Sequence, residues 1–130
     1  MSNTRLTVVV RKDLQLPEGL LAAQVAHIAN EFIRIKLLED KDQAGAPSFY
    51  DYEWEWFEDP YLSVLATNCK EDLLEVIEHA KREKLSICCW EDTIPSPTFP
   101  NQVIKALVGV SIGPEDFDKI KIVTGGLPLY

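Results

Sequence analysis

The segment Leu6-Thr7-Val8-Val9-Val10 constrains the fold more than any other stretch of this chain. In a β-strand successive side chains point to opposite faces, so an apolar run without alternation needs cover on both sides. A sheet wetted on one face is thereby excluded, and two layers of further structure are required. The next segment supplies one of them. After a turn at Leu16-Pro17-Glu18-Gly19, the residues Leu21, Val25, Ile28, Phe32 and Ile35 recur at spacings of four and three. That spacing marks one face of an α-helix running to about Leu38, and predicts that this face is its core side.

The rest of the chain alternates in the same way. Tyr61 to Ala66 reads as a second strand, and Asn68 with Glu71 three positions later reads as a capping arrangement opening a helix to about Lys84. Ser86 to Trp90 and Ala106 to Ile112 read as third and fourth strands, and Gly113-Pro114-Glu115-Asp116 as a helix start with proline in the first turn. Strand, helix, strand, helix, strand is the α/β order, and right-handed crossovers make the first three strands mutually parallel, with the fourth free to run either way. The expectation is a single domain over residues 1–130, a four-stranded mixed β-sheet with helices on both faces, carrying a long irregular insertion at about 40–60.

A chain of 130 residues can bury roughly two thirds of the surface it exposes when unfolded, so a true core is expected. No apolar run approaches the roughly 18 to 20 residues of a membrane span, and the amino terminus lacks the charged-then-apolar pattern of a signal peptide. Cysteines 69, 88 and 89 are odd in number and two are adjacent, which fits reduced thiols and a cytoplasmic location better than a disulfide framework. No C-x-x-C or H-x-x-x-H spacing occurs, so neither zinc nor another metal is expected. A net charge of −8 and the lack of a basic stripe weaken the case for a nucleic-acid partner.

Beside its core face the first helix carries a second stripe of Leu20, Gln24, His27, Glu31 and Arg34, again at spacings of four and three. His27 is either a core-edge histidine satisfied by a backbone carbonyl or Glu31, or a general base or polar anchor in a cleft. Further on, Tyr50-Asp51-Tyr52-Glu53-Trp54-Glu55-Trp56 alternates aromatic and acidic residues with period two, placing all four rings on one side of an extended segment. Such a face could be a lid on the domain, a self-association or protein-partner surface through Tyr50, Tyr52, Trp54 and Trp56, or a base-stacking platform. The five carboxylates and no cation between Phe49 and Tyr61 argue against the last. Cys88 and Cys89 are read as packing residues, not a redox pair.

Val8-Val9-Val10-Arg11-Lys12-Asp13-Leu14, followed by Gly19-Leu20-Leu21-Ala22-Ala23-Gln24-Val25-Ala26-His27, resembles the opening of the type II peptidyl-tRNA hydrolases. Val110-Ser111-Ile112-Gly113-Pro114 and the tail Val123-Thr124-Gly125-Gly126-Leu127-Pro128-Leu129 resemble that family's later motifs, and a group of uncharacterised domains of the same fold shares the Gly-Pro turn and the tail. The resemblance implies hydrolysis of the ester joining a peptide to the terminal ribose of tRNA, without metal or organic cofactor. It implies His27 and Asp92 as catalytic residues, with Asp92 in a loop after the third strand, and Arg11 and Gln24 on the cleft rim. Thr93, Ser96 or Thr98 would supply the hydroxyl of that loop.

The same resemblance exposes departures. Leu20 stands where the family has a lysine, the loop Asp92-Thr93-Ile94-Pro95-Ser96 lacks glycine and is lengthened, and Val108 replaces a threonine. Phe57-Glu58-Asp59-Pro60 reverses the charge of a segment that is basic in the family. Two functions therefore stand side by side: an ester hydrolase acting on peptidyl-tRNA, and a non-catalytic or re-purposed binding module that uses the aromatic segment to engage a second copy or another protein.

Overall fold

The computed structural model describes residues 2–130. In chain order the elements are β1 (Thr4–Arg11), α1 (Glu18–Asp40), α2 (Asp51–Glu58), β2 (Leu62–Thr67), α3 (Lys70–Arg82), β3 (Ile87–Pro95), β4 (Val103–Asp116) and α4 (Phe117–Thr124), with a short 3-10 turn at Lys12–Leu14. The strands form one sheet in the order β2-β1-β4-β3. β1 is parallel to β2, with Val8 opposite Val64, and antiparallel to β4, with Val8 opposite Ser111. β3 is also antiparallel to β4, with Trp90 opposite Gly109. β1, β2 and β3 thus share one direction, and β4 lies reversed between β1 and β3, giving the mixed four-stranded sheet that the sequence order implies.

The apolar run of β1 behaves as its pattern requires. Val8 and Val10 enter a cluster with Leu14, Ile28, Ile94 and Val108 beneath α1, while Val9 enters another with Leu73, Ile77 and Ile120 of α3 and α4. α2 lies on the α1 side, where Phe32 stacks on Phe57 and meets Trp56 edge-on. The tail closes the outer edge of β2: Ala66 N–H donates to the Pro128 carbonyl and Tyr130 N–H to that of Val64, each at 3.0 Å. A sheet edge that would otherwise offer unpaired backbone groups is thereby covered.

Several elements depart from expectation. The Tyr50–Trp56 segment is not extended: from Asp51 it is helical, and Tyr50 N–H is satisfied by the Glu53 carboxylate at 2.8 Å. The inward residues Tyr52, Glu53, Trp56 and Phe57 follow helical spacing, so the period-two pattern concealed a period of 3.6. The four rings therefore do not share one face: Trp56 and Tyr52 are half-buried, while Tyr50 and Trp54 are 61% and 48% exposed.

α1 is rotated from its expected seat. Gln24 and Glu31 are buried with Ile28 and Phe32, whereas Ile35 is exposed. Nor does Gly113-Pro114-Glu115-Asp116 begin a helix. Glu115 and Asp116 pair with Arg5 and Thr4 of β1, so their backbone groups are spent on the sheet, and α4 starts only at Phe117 with Asp116 as its cap. Gly113 is required there, with φ of +103° and the Arg5 carbonyl 2.6 Å from where a Cβ would stand. α3 is preceded by Cys69 at the cap position, with no side-chain cap from Asn68. Among the described residues no helix is long and apolar enough to cross a membrane.

Candidate functional site between the first helix and the third strand

The third strand runs to Pro95, farther than the sequence suggested, so Asp92 and Thr93 are strand residues and not part of a loop. The extension follows from pairing: Asp92 lies opposite Ala106 and Ile94 opposite Ile104, each already extended in β4. Trp90, Asp92 and Ile94 face α1, and Ile94 joins the cluster beneath that helix. α1 can come this close because Gly109 has no side chain. A Cβ there would stand 2.5 Å from the Val9 carbonyl and 2.9 Å from Ile28 Cδ1. Ile28 is one helical turn beyond Gln24, so the same close approach that seats Ile28 brings Gln24 and His27 against β3.

Four side chains converge in that seam. Gln24 Nε2 donates to Asp92 Oδ2 at 2.9 Å, and Trp90 Nε1 donates to Gln24 Oε1 at 2.7 Å. Thr93 N–H donates to Asp92 Oδ1 at 2.8 Å. The His27 imidazole lies on the Trp90 indole with ring centres 5.0 Å apart and planes inclined by 12°. An indole only donates and an ionised carboxylate only accepts, so the amide between them has one consistent orientation. Gln24 is 3% exposed, whereas His27 lies at the surface. The Gln24 amide, then the Thr93 N–H and the nearby His27, hold the Asp92 carboxyl below the usual aspartate range against the opposing effect of burial. An exposed imidazole thus adjoins a carboxylate kept ionised and fixed in direction.

The other candidate residues are placed elsewhere. Glu31 is paired with Arg34, not with His27. Thr93 is exposed and its strand position turns its side chain away from the face that Asp92 occupies. Ser96 Oγ accepts from the N–H groups of Thr98 at 3.2 Å and Phe99 at 3.0 Å, which shapes the turn between β3 and β4. Arg11 is not on the rim of this seam. It pairs with Asp13 at 2.8 Å, donates to the Leu107 carbonyl at 3.2 Å, and lines a groove of about 610 Å³ with Lys70, Leu74 and Lys105 on the α3 side of the sheet. Trp90 was not among the residues singled out from sequence, although a ring two positions before Asp92 on one strand must share its face.

Comparison with known proteins decides the family. Residues 4–130 match the family described as Peptidyl-tRNA hydrolase PTH2. The chain belongs to this family. It is 39% identical over 124 residues to a peptidyl-tRNA hydrolase of Methanopyrus kandleri, covering 94% of each chain. It is 30% identical over 127 residues to one from Staphylothermus marinus, covering 94% of this chain and 91% of the relative. With the mitochondrial peptidyl-tRNA hydrolase 2 of Bos taurus it shares 31% identity over 126 residues, 97% of this chain and 64% of the bovine protein.

The donors that meet in the seam are neutral. Leu20 is half-buried against the cluster beneath α1, and the Lys12 ammonium stands 6.0 Å from the centre of the Tyr130 ring. The polar links that define the seam are an indole, an amide and a backbone N–H. Burial pushes the thiols of Cys88 and Cys89 up, away from the reactive thiolate. Among the described residues no group of three or more His, Cys, Asp or Glu side chains could hold a metal ion.

Proposed function

We propose that this chain hydrolyses the ester between a peptide and the terminal ribose of tRNA, with His27 and Asp92 as its catalytic residues. The observation that carries the reading is the fixed Gln24–Asp92 bond beside the exposed His27, in a member of the peptidyl-tRNA hydrolase family. His27 takes a proton from water as the water oxygen bonds to the ester carbonyl carbon. The tetrahedral intermediate expels the ribose oxygen, which receives that proton, leaving free tRNA and a peptide carboxylic acid that releases the second proton of the water to solvent as the carboxylate forms. Asp92 accepts a hydrogen bond from the water or from a ribose hydroxyl and so orients it. Gln24 lines the site through the bond that aims Asp92. The reaction takes place in the cytoplasm and needs no metal or organic cofactor.

On this reading Leu20 occupies the position of a lysine that would contact phosphate or developing negative charge, and the enzyme is slow for want of it. Release of free tRNA from a peptidyl-tRNA is the decisive measurement. Turnover is expected, and His27→Ala is expected to reduce it at least a hundredfold, in the range of general acid–base contributions of roughly 10² to 10⁴. Undiminished release in that variant excludes the named base. Leu20→Lys is expected to raise the rate above that of the unsubstituted chain; activity that emerges only in this variant would mark the chain as a retired enzyme.

A second reading, a binding module, rests on the exposed rings of Tyr50 and Trp54 at the start of α2. It predicts that Trp54→Ala changes the oligomeric mass in sedimentation or the capture of a protein partner. The hydrolase reading predicts that both are unchanged.

A further inference from the structure

Trp90 makes two contacts that filling a core would not demand. Its single polar atom is aimed at the Oε1 of a buried glutamine, and its ring lies nearly parallel to an imidazole. The first contact removes an ambiguity. A buried primary amide beside Asp92 has two orientations related by a half turn, of which one sets two acceptor oxygens against each other. The indole N–H favours the other orientation, in which the amide NH₂ meets the carboxylate. The second contact limits tilting of the His27 ring. Both imidazole nitrogens lie in the ring plane, so a ring resting on the indole directs its lone pair along that surface and not into it. One residue on β3 thus sets the aim of both the proton acceptor and the carboxylate.

We propose that Trp90 is a positioning residue of the site, acting on Asp92 through Gln24 and on His27 through ring stacking. The proposal rests on the hydrolase reading of His27 and Asp92, and Trp90 itself touches no reacting atom. The test is a double-mutant cycle of Trp90→Phe and Gln24→Leu, read by carbon NMR of the Asp92 carboxyl and by kcat and KM for release of tRNA from peptidyl-tRNA. Trp90→Phe keeps an aromatic face for His27 and deletes the donor.

The expected results for Trp90→Phe are an Asp92 pKa raised toward the ordinary aspartate value and a kcat lowered roughly three- to tenfold, the worth of one hydrogen bond. KM is expected to stay constant, and the substitution to have no further effect once Gln24→Leu is present. Trp90→Leu, which also removes the stacked ring, should lower kcat further. Additive effects in the cycle, or an Asp92 pKa unmoved by Trp90→Phe, would overturn the proposal and leave Trp90 a packing residue. If the unsubstituted chain releases no tRNA, the hydrolase reading fails while the NMR arm still decides the orientation: a raised Asp92 pKa supports it and an unmoved one overturns it. If Trp90→Phe does not fold, the Trp90 indole N–H of the unsubstituted protein serves instead. It should be protected from exchange and lose that protection in Gln24→Leu; exchange at the same rate in both would overturn the proposal.

Discussion

Asp92 is held ionised chiefly by a neutral amide, and this has a measurable consequence. Its pKa is depressed in the folded chain, so its contribution to stability is present above the aspartate pKa of the unfolded chain and is lost as pH falls through the folded value. Gln24→Leu removes the leading cause of that depression and also leaves the half-buried indole N–H of Trp90 without its acceptor. The variant should be less stable by about 1–3 kcal/mol at pH 7, the net worth of the two hydrogen bonds lost. The gap between the two proteins in urea denaturation should narrow as pH falls below the ordinary aspartate range, where Asp92 protonates in the variant before it does in the unsubstituted chain. A gap that does not change with pH would assign the whole loss to packing. Gln24, His27 and Asp92 were legible in the sequence because they fall on motif positions. Trp90 was not: its spacing from Asp92 puts the two side chains on one face of the strand, but nothing local says that this face packs across α1. Arg11 was misplaced for a related reason: it follows Val10 on β1 and so points to the opposite face of the sheet from the residues it was grouped with.

Among the elements, α1 and α3 could be read from apolar periodicity because each has a buried side, and β1 from an unbroken apolar run because both of its faces are covered. The order of the strands in the sheet could not, since nothing local says that β4 inserts between β1 and β3. The aromatic segment misled for a more specific reason. Residues 50–56 satisfy an alternating pattern and a helical one together, and what selects the helix is the packing of Trp56 and Phe57 on Phe32. The seating of α1 on the sheet depends likewise on Gly109, which reads from sequence as only a small residue in a strand. Gly109→Ala must displace Ile28 or the β1 backbone. The expected cost is about 1–3 kcal/mol by chemical denaturation, the usual price of overpacking. Because Gln24 and His27 ride on the same helix, kcat should fall while KM changes little. Full activity with normal stability in that variant would show that the helix can lift without disturbing the seam.

At the scale of the whole molecule, a net charge of −8 opposes the approach of a polyanion, so long-range steering cannot supply affinity for tRNA. The charge is not evenly spread. Glu58 and Asp59 end α2, just before β2 begins, whereas Asp92 lies toward the carboxyl end of β3, which runs in the same direction as β2. The acidic segment and the seam therefore lie toward opposite ends of the sheet. Near the carboxyl ends of the strands stand Lys70, which opens α3 after β2, and Lys105, opposite Thr93 in the sheet. Both are exposed, and ligands of open α/β sheets bind outside the carboxyl ends of the strands. If the tRNA backbone is held there, Lys70→Ala and Lys105→Ala should each raise KM, leave kcat unchanged, and reduce the slope of log KM against log salt by about 1. Glu58→Lys, at the far end, should leave KM nearly unmoved. The opposite pattern, KM lowered by Glu58→Lys and indifferent to both lysines, would place the tRNA body across α2 and give the acidic segment a role in repelling it.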